Sequence, residues 1–293
     1  MRTRRPLDYR TPSTLGAPRF DKQGFLILIA LGLWFVLCLL YAGSGWSMLL
    51  YRLLIDGVIV MLWVTSAFGI GSLLLSVLWP RGHEHSSILR AVTATAFGLG
   101  TISLVTLGLG LAGWLNRTSA IAMVSIGVIA TVMPLVAWRD AGKAVQAWLP
   151  SPAQWSWLWL LTVPFASLMT VAALVPPGLL WKGEPAGYDV VEYHLQVPRE
   201  WYEIGRIVPL HHNVYSFFPF NVEMHYLLAM HLRGGPWAGM YLAQFMHGTY
   251  IMLSVIAVYA IALQWVGKQG AVLAGVATAT VPWMAQLGSI AYD

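Results

Sequence analysis

Long runs of apolar residues dominate the chain and are separated by short polar segments. A membrane-spanning helix needs about 20 apolar residues in succession, because the bilayer core is about 30 Å thick. Five such runs precede the longest polar segment and two follow it: 25–41, 54–78, 88–112, 120–137, 157–174, 240–265 and 271–287. In lipid a helix satisfies its own backbone groups, so each run predicts a helix. The pattern predicts an all-α polytopic membrane protein with about seven transmembrane helices.

Basic residues in the connections indicate the orientation of these spans. Most of them fall on one side of the predicted membrane: Arg2, Arg4, Arg5, Arg81, Arg90, Arg139, Lys143 and Lys268. Positive charge marks the cytoplasmic side. We therefore expect a cytoplasmic N-terminus in a multi-pass protein, with a bacterial plasma membrane as the setting that fits best, and an external loop at 178–236.

Three regions follow from this arrangement. Residues 1–22 are polar, basic and proline-containing, which predicts a disordered cytoplasmic tail. Residues 23–153 form a four-helix membrane region, and residues 154–293 form a second membrane region with the external loop and its juxtamembrane helices. The segment 217–232 within that loop is short and interrupted by polar residues, so we expect it to lie in the membrane interface and not to cross.

Composition excludes several classes of protein. The chain is 58% hydrophobic and 10% charged, whereas soluble domains carry roughly 25% charged residues. The net charge of +5 is explained by the topology of the basic loops, so we expect no nucleic-acid partner. The single cysteine, Cys38, provides neither a disulfide framework nor a thiolate metal site.

Titratable residues gather in the external loop. The stretch 183–233 holds six of the 12 acidic residues and five of the eight histidines. A membrane protein that concentrates such groups in one loop marks a candidate site there.

The candidate acids begin at Asp189. Asp189, Glu192, Tyr193 and Gln196 follow helical spacing, so a helix that starts at Asp189 would present them on one face. Spacing alone favours an interfacial helix with a solvated polar face. Asp293 favours the functional interpretation, because the topology places it on the same side, and two carboxylates can act as a general base and an electrostatic or metal-binding partner. We predict a separation within roughly 15 Å between them, the reach of paired catalytic groups.

Two other polar groups have simpler explanations. Asp56 would suit a proton relay, but Arg52 lies four residues earlier and favours an ion pair. His211 and His212 would suit a metal, but adjacent residues point apart in an extended chain and no third ligand is assigned. No metal-binding residue is therefore assigned, and the cofactor is left open, with a divalent metal as one option.

Three segments carry a resemblance to a known family: EPAGYDVVEYHLQVPREWYEIGRIVP, FFPFNVEMHYLLAMHLRGG and TVPWMAQLGSIAYD. In this order, separated by two spans, they resemble the beginning of the glycosyltransferase C superfamily, particularly the lipid A aminoarabinose transferases and the protein O-mannosyltransferases. In those families an external loop begins with one acid and two spans lead to a second external acid. The resemblance covers roughly residues 157–293.

The resemblance implies a membrane glycosyltransferase that takes a sugar from a polyprenyl-phosphate donor at the external face. Asp189 matches the first acid, the base that deprotonates the acceptor hydroxyl, and Asp293 matches the second. Arg206, Arg233 and His194 would meet the donor phosphate, and membrane lipid would surround the site.

Some positions depart from the family pattern. Val190 stands where the mannosyltransferases have a second acid, so Glu192 is the nearest replacement. Phe217 and Phe218 stand before Pro219 where some members have an acid or histidine implicated in metal binding. Family members also continue for several spans beyond the second acid, so we expect a truncated or split form, with a second chain supplying the missing spans. The alternative is a non-catalytic transporter or lipid-binding membrane protein, in which Asp56 would be the functional acid.

Overall fold

The computed structural model describes residues 22–79, 87–137, 156–177 and 187–292. These residues are mostly helical, and none of them forms a strand. The ten α-helices in these ranges are α1 (Lys22–Ala42), α2 (Trp46–Leu78), α3 (Ser87–Ala112), α4 (Arg117–Ala137), α5 (Val163–Ala172), α6 (Gln196–Ile204), α7 (Glu223–Arg233), α8 (Pro236–Trp265), α9 (Gly267–Ala279) and α10 (Pro282–Leu287). The predicted all-α class is confirmed for this part of the chain.

Three helical segments are long and apolar enough to cross a membrane. They are Phe25–Leu78, Ser87–Ala112 and Pro236–Trp265. The first contains most of α1 and all of α2, which are joined by a 3-10 turn at Gly43–Gly45, where Gly43 has a φ of 51°. Shorter apolar helices lie at Arg117–Val132 and Trp157–Ala172.

The last predicted span does not form one continuous helix. It divides into α9 and α10 at Val281, which has an extended backbone immediately before Pro282. A proline disfavours helical conformation in the residue before it, so the break has a local cause. The continuous helix predicted over 271–287 is therefore wrong.

Small residues bring α2, α3 and α4 into close contact. Gly71 packs against Ala94 and Gly98, while Gly98 also packs against the backbone of Ala67. On the other side of α2, Gly127 packs against Ser66. Lipid supplies no hydrophobic force that drives helices together, so membrane helices rely on such close backbone approach.

This packing predicts a position-specific effect of side-chain size on α3. Gly98→Leu is expected to force α2 and α3 apart, at a cost of roughly 1–3 kcal/mol or more, because a Cβ at Gly98 would overlap the backbone of Ala67. Gly100→Leu is the matched control, since a Cβ there meets no atom within 4 Å. Thermal unfolding in detergent compares the two, and equal losses of Tm would contradict the packing account.

Helix α7 lies inside the bundle. Every residue from Glu223 to His231 is buried. Helix α7 packs against α3, α4, α6 and α8, and Trp63 of α2 donates a hydrogen bond to its His225. Its 11 residues span only about 16 Å, too short to cross a bilayer. Its polar residues find partners within the protein, so the helix does not present a solvated polar face, and its depth in the membrane stays a prediction. Buried, non-spanning helix is tolerated at membrane depth where protein surrounds it.

Candidate functional site

A π-helical turn at Val190–His194 follows Asp189. The amide of Leu195 donates to the carbonyl of Val190 at 2.9 Å, which is the i to i+5 pattern of a π-helix. The helix suggested at Asp189 is therefore present, but its register between Asp189 and Gln196 is not that of a regular α-helix. Single π turns occur frequently at functional sites.

Tyr292 contacts both ends of this turn. Its hydroxyl donates to Oδ2 of Asp189 at 2.9 Å, and its ring centroid lies 5.2 Å from that of His194. The wider π turn thus brings His194, five residues after Asp189, to the same partner. Asp189 and Tyr292 are both half-buried, so the site combines a shielded environment with access from outside.

A buried pair lies beside this contact. Nδ1 of His194 is 2.6 Å from Oε1 of Glu223, and each side chain is 4% exposed. Glu223 is the first residue of α7, so the pair joins the π turn to the buried helix. Burial of a carboxylate is tolerated when such a hydrogen bond compensates for lost hydration.

The two other predicted acids have different outcomes. Glu192 is half-buried, and its backbone carbonyl accepts a hydrogen bond from Asn213 at 3.1 Å. Asp293 lies outside the described residues, so its separation from Asp189 stays a prediction. Its neighbour in the chain, Tyr292, bonds directly to Asp189.

Sequence reasoning missed Tyr292 and Glu223 as members of this site. Glu223 was counted among the six acidic residues of 183–233, but it was given no role in the site. Tyr292 was passed over although it precedes a predicted catalytic acid. The available signal was its position, since a phenol next to an acid at the end of an apolar run can donate to a nearby carboxylate.

The predicted phosphate-binding arginines lie elsewhere. Nε of Arg206 donates to the carbonyl of Leu111 at 2.8 Å. Nε of Arg233 lies 2.9 Å from Oδ1 of Asp56, whose Oδ2 accepts from Arg52 at 3.0 Å. The predicted Arg52–Asp56 pair is confirmed, and Arg233 completes a buried ion triad. None of the described hydrogen bonds or ion pairs joins either Arg206 or Arg233 to His194.

His211 and His212 have separate neighbours. Nε2 of His212 lies 2.8 Å from Oε2 of Glu200, whereas the ring of His211 is 6.4 Å from that of Phe217. Among the described residues, no three histidine, cysteine, aspartate or glutamate side chains come together as a metal site.

Burial holds two histidines of α7 in the neutral form. Nδ1 of His225 accepts from Nε1 of Trp63 at 3.1 Å, so a proton on Nδ1 would remove this bond. Burial lowers the pKa of His225 to about 3, opposed by a hydrogen bond to the backbone of Leu99. Burial likewise lowers the pKa of His231 to about 4.

These lowered pKa values predict that the fold loses stability in acid. The unfolded chain takes up protons on both histidines below pH 6.5, its ordinary histidine pKa, whereas the folded chain takes them up only near pH 4 and pH 3. Their contribution is therefore complete above pH 6.5 and falls as the pH decreases towards those values.

Unfolding in detergent at a series of pH values measures this effect. His231→Gln is expected to make the slope of unfolding free energy against pH shallower by up to about 1.4 kcal/mol per pH unit, the effect of one proton. An unchanged slope in this variant would show that His231 is not held neutral.

No family model, no curated protein and no solved structure matches this chain.

Proposed function

We propose that this chain is a multi-pass membrane glycosyltransferase, or part of one, that uses a polyprenyl-phosphate sugar at the external face. The observation that carries the proposal is the hydrogen bond between Tyr292 and Asp189. This bond joins the start of the polar loop to the segment that leads to Asp293. Asp189 and Asp293 could act together only if these two segments come close to one another.

Contacts at one end of the bundle support the proposed orientation of α2 and α3. The amide of Ile207 donates to the carbonyl of Gly110 at 3.0 Å. A terminal nitrogen of Arg233 donates to the hydroxyl of Tyr51 at 3.3 Å. The start of α2, the end of α3 and the polar loop therefore meet, which is the arrangement expected if all three reach the external face while the N-terminus is cytoplasmic.

Asp189 suits the role of general base. Within the described residues, Tyr292 is the hydrogen-bond partner of its side chain through Oδ2, so Oδ1 is available to an acceptor hydroxyl. As Oδ1 takes the hydroxyl proton, the acceptor oxygen bonds to the anomeric carbon. The bond from that carbon to the phosphate oxygen breaks, and polyprenyl phosphate leaves with the electron pair.

The surrounding residues have supporting parts in this proposal. Tyr292 fixes the orientation of the Asp189 carboxylate through its hydroxyl. His194 lies beside Tyr292, which itself bonds to the base, and is the residue proposed to meet the donor phosphate here. Glu223 orients the His194 ring through their 2.6 Å contact.

An apolar cavity supports a lipid-borne donor. It has a volume of about 400 Å³ and lies among α1, α5 and α8, with Ala166, Met169 and Val255 in its wall. Ala285 of α10 also lines it, and the chain runs from there to Tyr292. A prenyl chain in this cavity would therefore approach the side of the protein that carries Asp189.

Transfer in proteoliposomes tests the proposal. The reconstituted chain is incubated with labelled polyprenyl-phosphate sugars and a membrane extract as the source of acceptor hydroxyls. Label is expected to move from the lipid donor to an acceptor, and a chelator added in parallel determines metal dependence. Absence of transfer from every donor, with the protein folded, would count against the assignment.

A further inference from the structure

Three arginines surround the turn between α3 and α4, at the end of the bundle where the polar loop packs. The side chain of Arg206 follows this turn, with its Nε on the carbonyl of Leu111 and its methylene groups next to Gly113. Arg117, at the start of α4, reaches Gly234 on the other side, and Arg233 is the residue immediately before Gly234. We call Arg117, Arg206 and Arg233 the arginine collar.

The arginine collar carries an excess of positive charge. Arg233 shares the single carboxylate of Asp56 with Arg52, so the buried triad retains one positive charge. Neither Arg117 nor Arg206 has a carboxylate within ion-pair distance among the described residues, and both are exposed. An anion is the ligand that this arrangement lacks.

Exposed aromatic side chains place the collar at the depth of lipid headgroups. Trp114 in the turn is 71% exposed, Trp237 at the start of α8 is 67% exposed and Tyr51 beside Arg233 is 47% exposed. Exposed tryptophan and tyrosine are enriched where a membrane protein meets the membrane–water interface. Lipid phosphates lie at the same level, within reach of the guanidinium groups.

We propose that the arginine collar binds the phosphate group of an anionic membrane lipid. A guanidinium presents paired donors that match two phosphate oxygens. Arg206 keeps its terminal nitrogens for this purpose, because its described hydrogen bond uses Nε alone. The sequence predicted a donor-phosphate role for Arg206 and Arg233, but their described polar contacts are with Leu111, Asp56 and Tyr51. The proposal therefore does not depend on sugar transfer at Asp189.

The test uses the folded chain in nanodiscs that contain equal amounts of phosphatidylglycerol and phosphatidylcholine. Native mass spectrometry then measures which lipid is retained on the released protein. Wild type is expected to retain phosphatidylglycerol preferentially. In the Arg117→Gln/Arg206→Gln variant, the ratio of retained phosphatidylglycerol to retained phosphatidylcholine is expected to fall about five-fold for each charge removed. The Arg117→Lys/Arg206→Lys variant is expected to keep most of the wild-type ratio.

Lys268→Gln is the matched control. It removes one positive charge from the joint between α8 and α9, and the 30 residues of α8 separate it from the collar. Equal retention of both lipids by wild type, or an equal loss in Lys268→Gln, would overturn the proposal. Inorganic phosphate is added before release to distinguish a lipid phosphate from a soluble one. If phosphatidylglycerol is still retained, the site is assigned to a lipid. If inorganic phosphate displaces phosphatidylglycerol, the lipid assignment is overturned in favour of a soluble anion.

Discussion

Asp189→Asn is expected to lower the rate of sugar transfer by about 10²–10⁴-fold, the usual contribution of a general base. Asparagine has nearly the same shape and still offers an oxygen to the hydroxyl of Tyr292, but it cannot take the acceptor proton. Donor binding should therefore stay close to wild type. Rates at saturating donor and separate donor-binding measurements distinguish loss of chemistry from loss of affinity.

Glu203→Gln is the control for this change. Its side chain is 51% exposed and pairs with Arg199 on α6, away from any described contact with Tyr292. This variant is expected to transfer sugar at the wild-type rate. Undiminished transfer by Asp189→Asn would remove Asp189 from the reaction, even if the protein proved to be a glycosyltransferase.

Asp56→Leu is expected to destabilise the protein by about 3–5 kcal/mol, the usual cost of removing one partner of a buried ion pair. The carboxylate of Asp56 is fully buried and lies 3.0 Å from Arg52 and 2.9 Å from Arg233. Its removal leaves two guanidinium groups close together without a counter-ion. The folded fraction recovered in detergent and the Tm both measure the effect.

Loss of an exposed ion pair provides the comparison. Glu203→Gln breaks the Arg199–Glu203 pair, whose side chains are 36% and 51% exposed. Such pairs contribute only about 0–1 kcal/mol. If the Asp56 and Glu203 variants lost equal stability, the triad would not be a structural centre. Loss of proton-coupled transport in Asp56→Asn without loss of Tm would favour a transporter.

The helical class could be predicted because lipid imposes one requirement along the whole chain. The predicted run 88–112 differs by one residue from α3, which is Ser87–Ala112. A helix exposed to lipid needs apolar residues on every side, so the length of the apolar run in the sequence predicts the length of the helix. The local Arg52–Asp56 pair follows equally well from helical spacing.

The features that were not predicted from the sequence depend on contacts between distant residues. Glu223, His225 and His231 suggested an interface because polar residues usually seek water. Instead Glu223 pairs with His194, and His225 accepts a hydrogen bond from Trp63. A polar pattern does not distinguish a side chain that meets water from one that meets a buried partner. The partnership of Arg233 with Asp56 was hidden for the same reason.

The candidate site contains one residue that was predicted and others that were not. Asp189 was predicted from its place in the chain, whereas its contacts with neighbouring residues are visible only in the structure. The π turn that adds His194 is a change of hydrogen-bond register, which hydrophobic periodicity does not report. Tyr292 reaches Asp189 only because the chain returns to the polar loop after α8, α9 and α10.

Photo-crosslinking with a donor analogue tests the central claim most directly. A polyprenyl-phosphate sugar that carries a photoreactive group on the sugar is bound to the reconstituted chain, illuminated and mapped by peptide mass spectrometry. The account predicts label on residues 187–195 or 288–292, competed away by unlabelled donor. Label confined to the surroundings of Arg52 and Asp56, or label at 187–195 and 288–292 that unlabelled donor does not reduce, would contradict it.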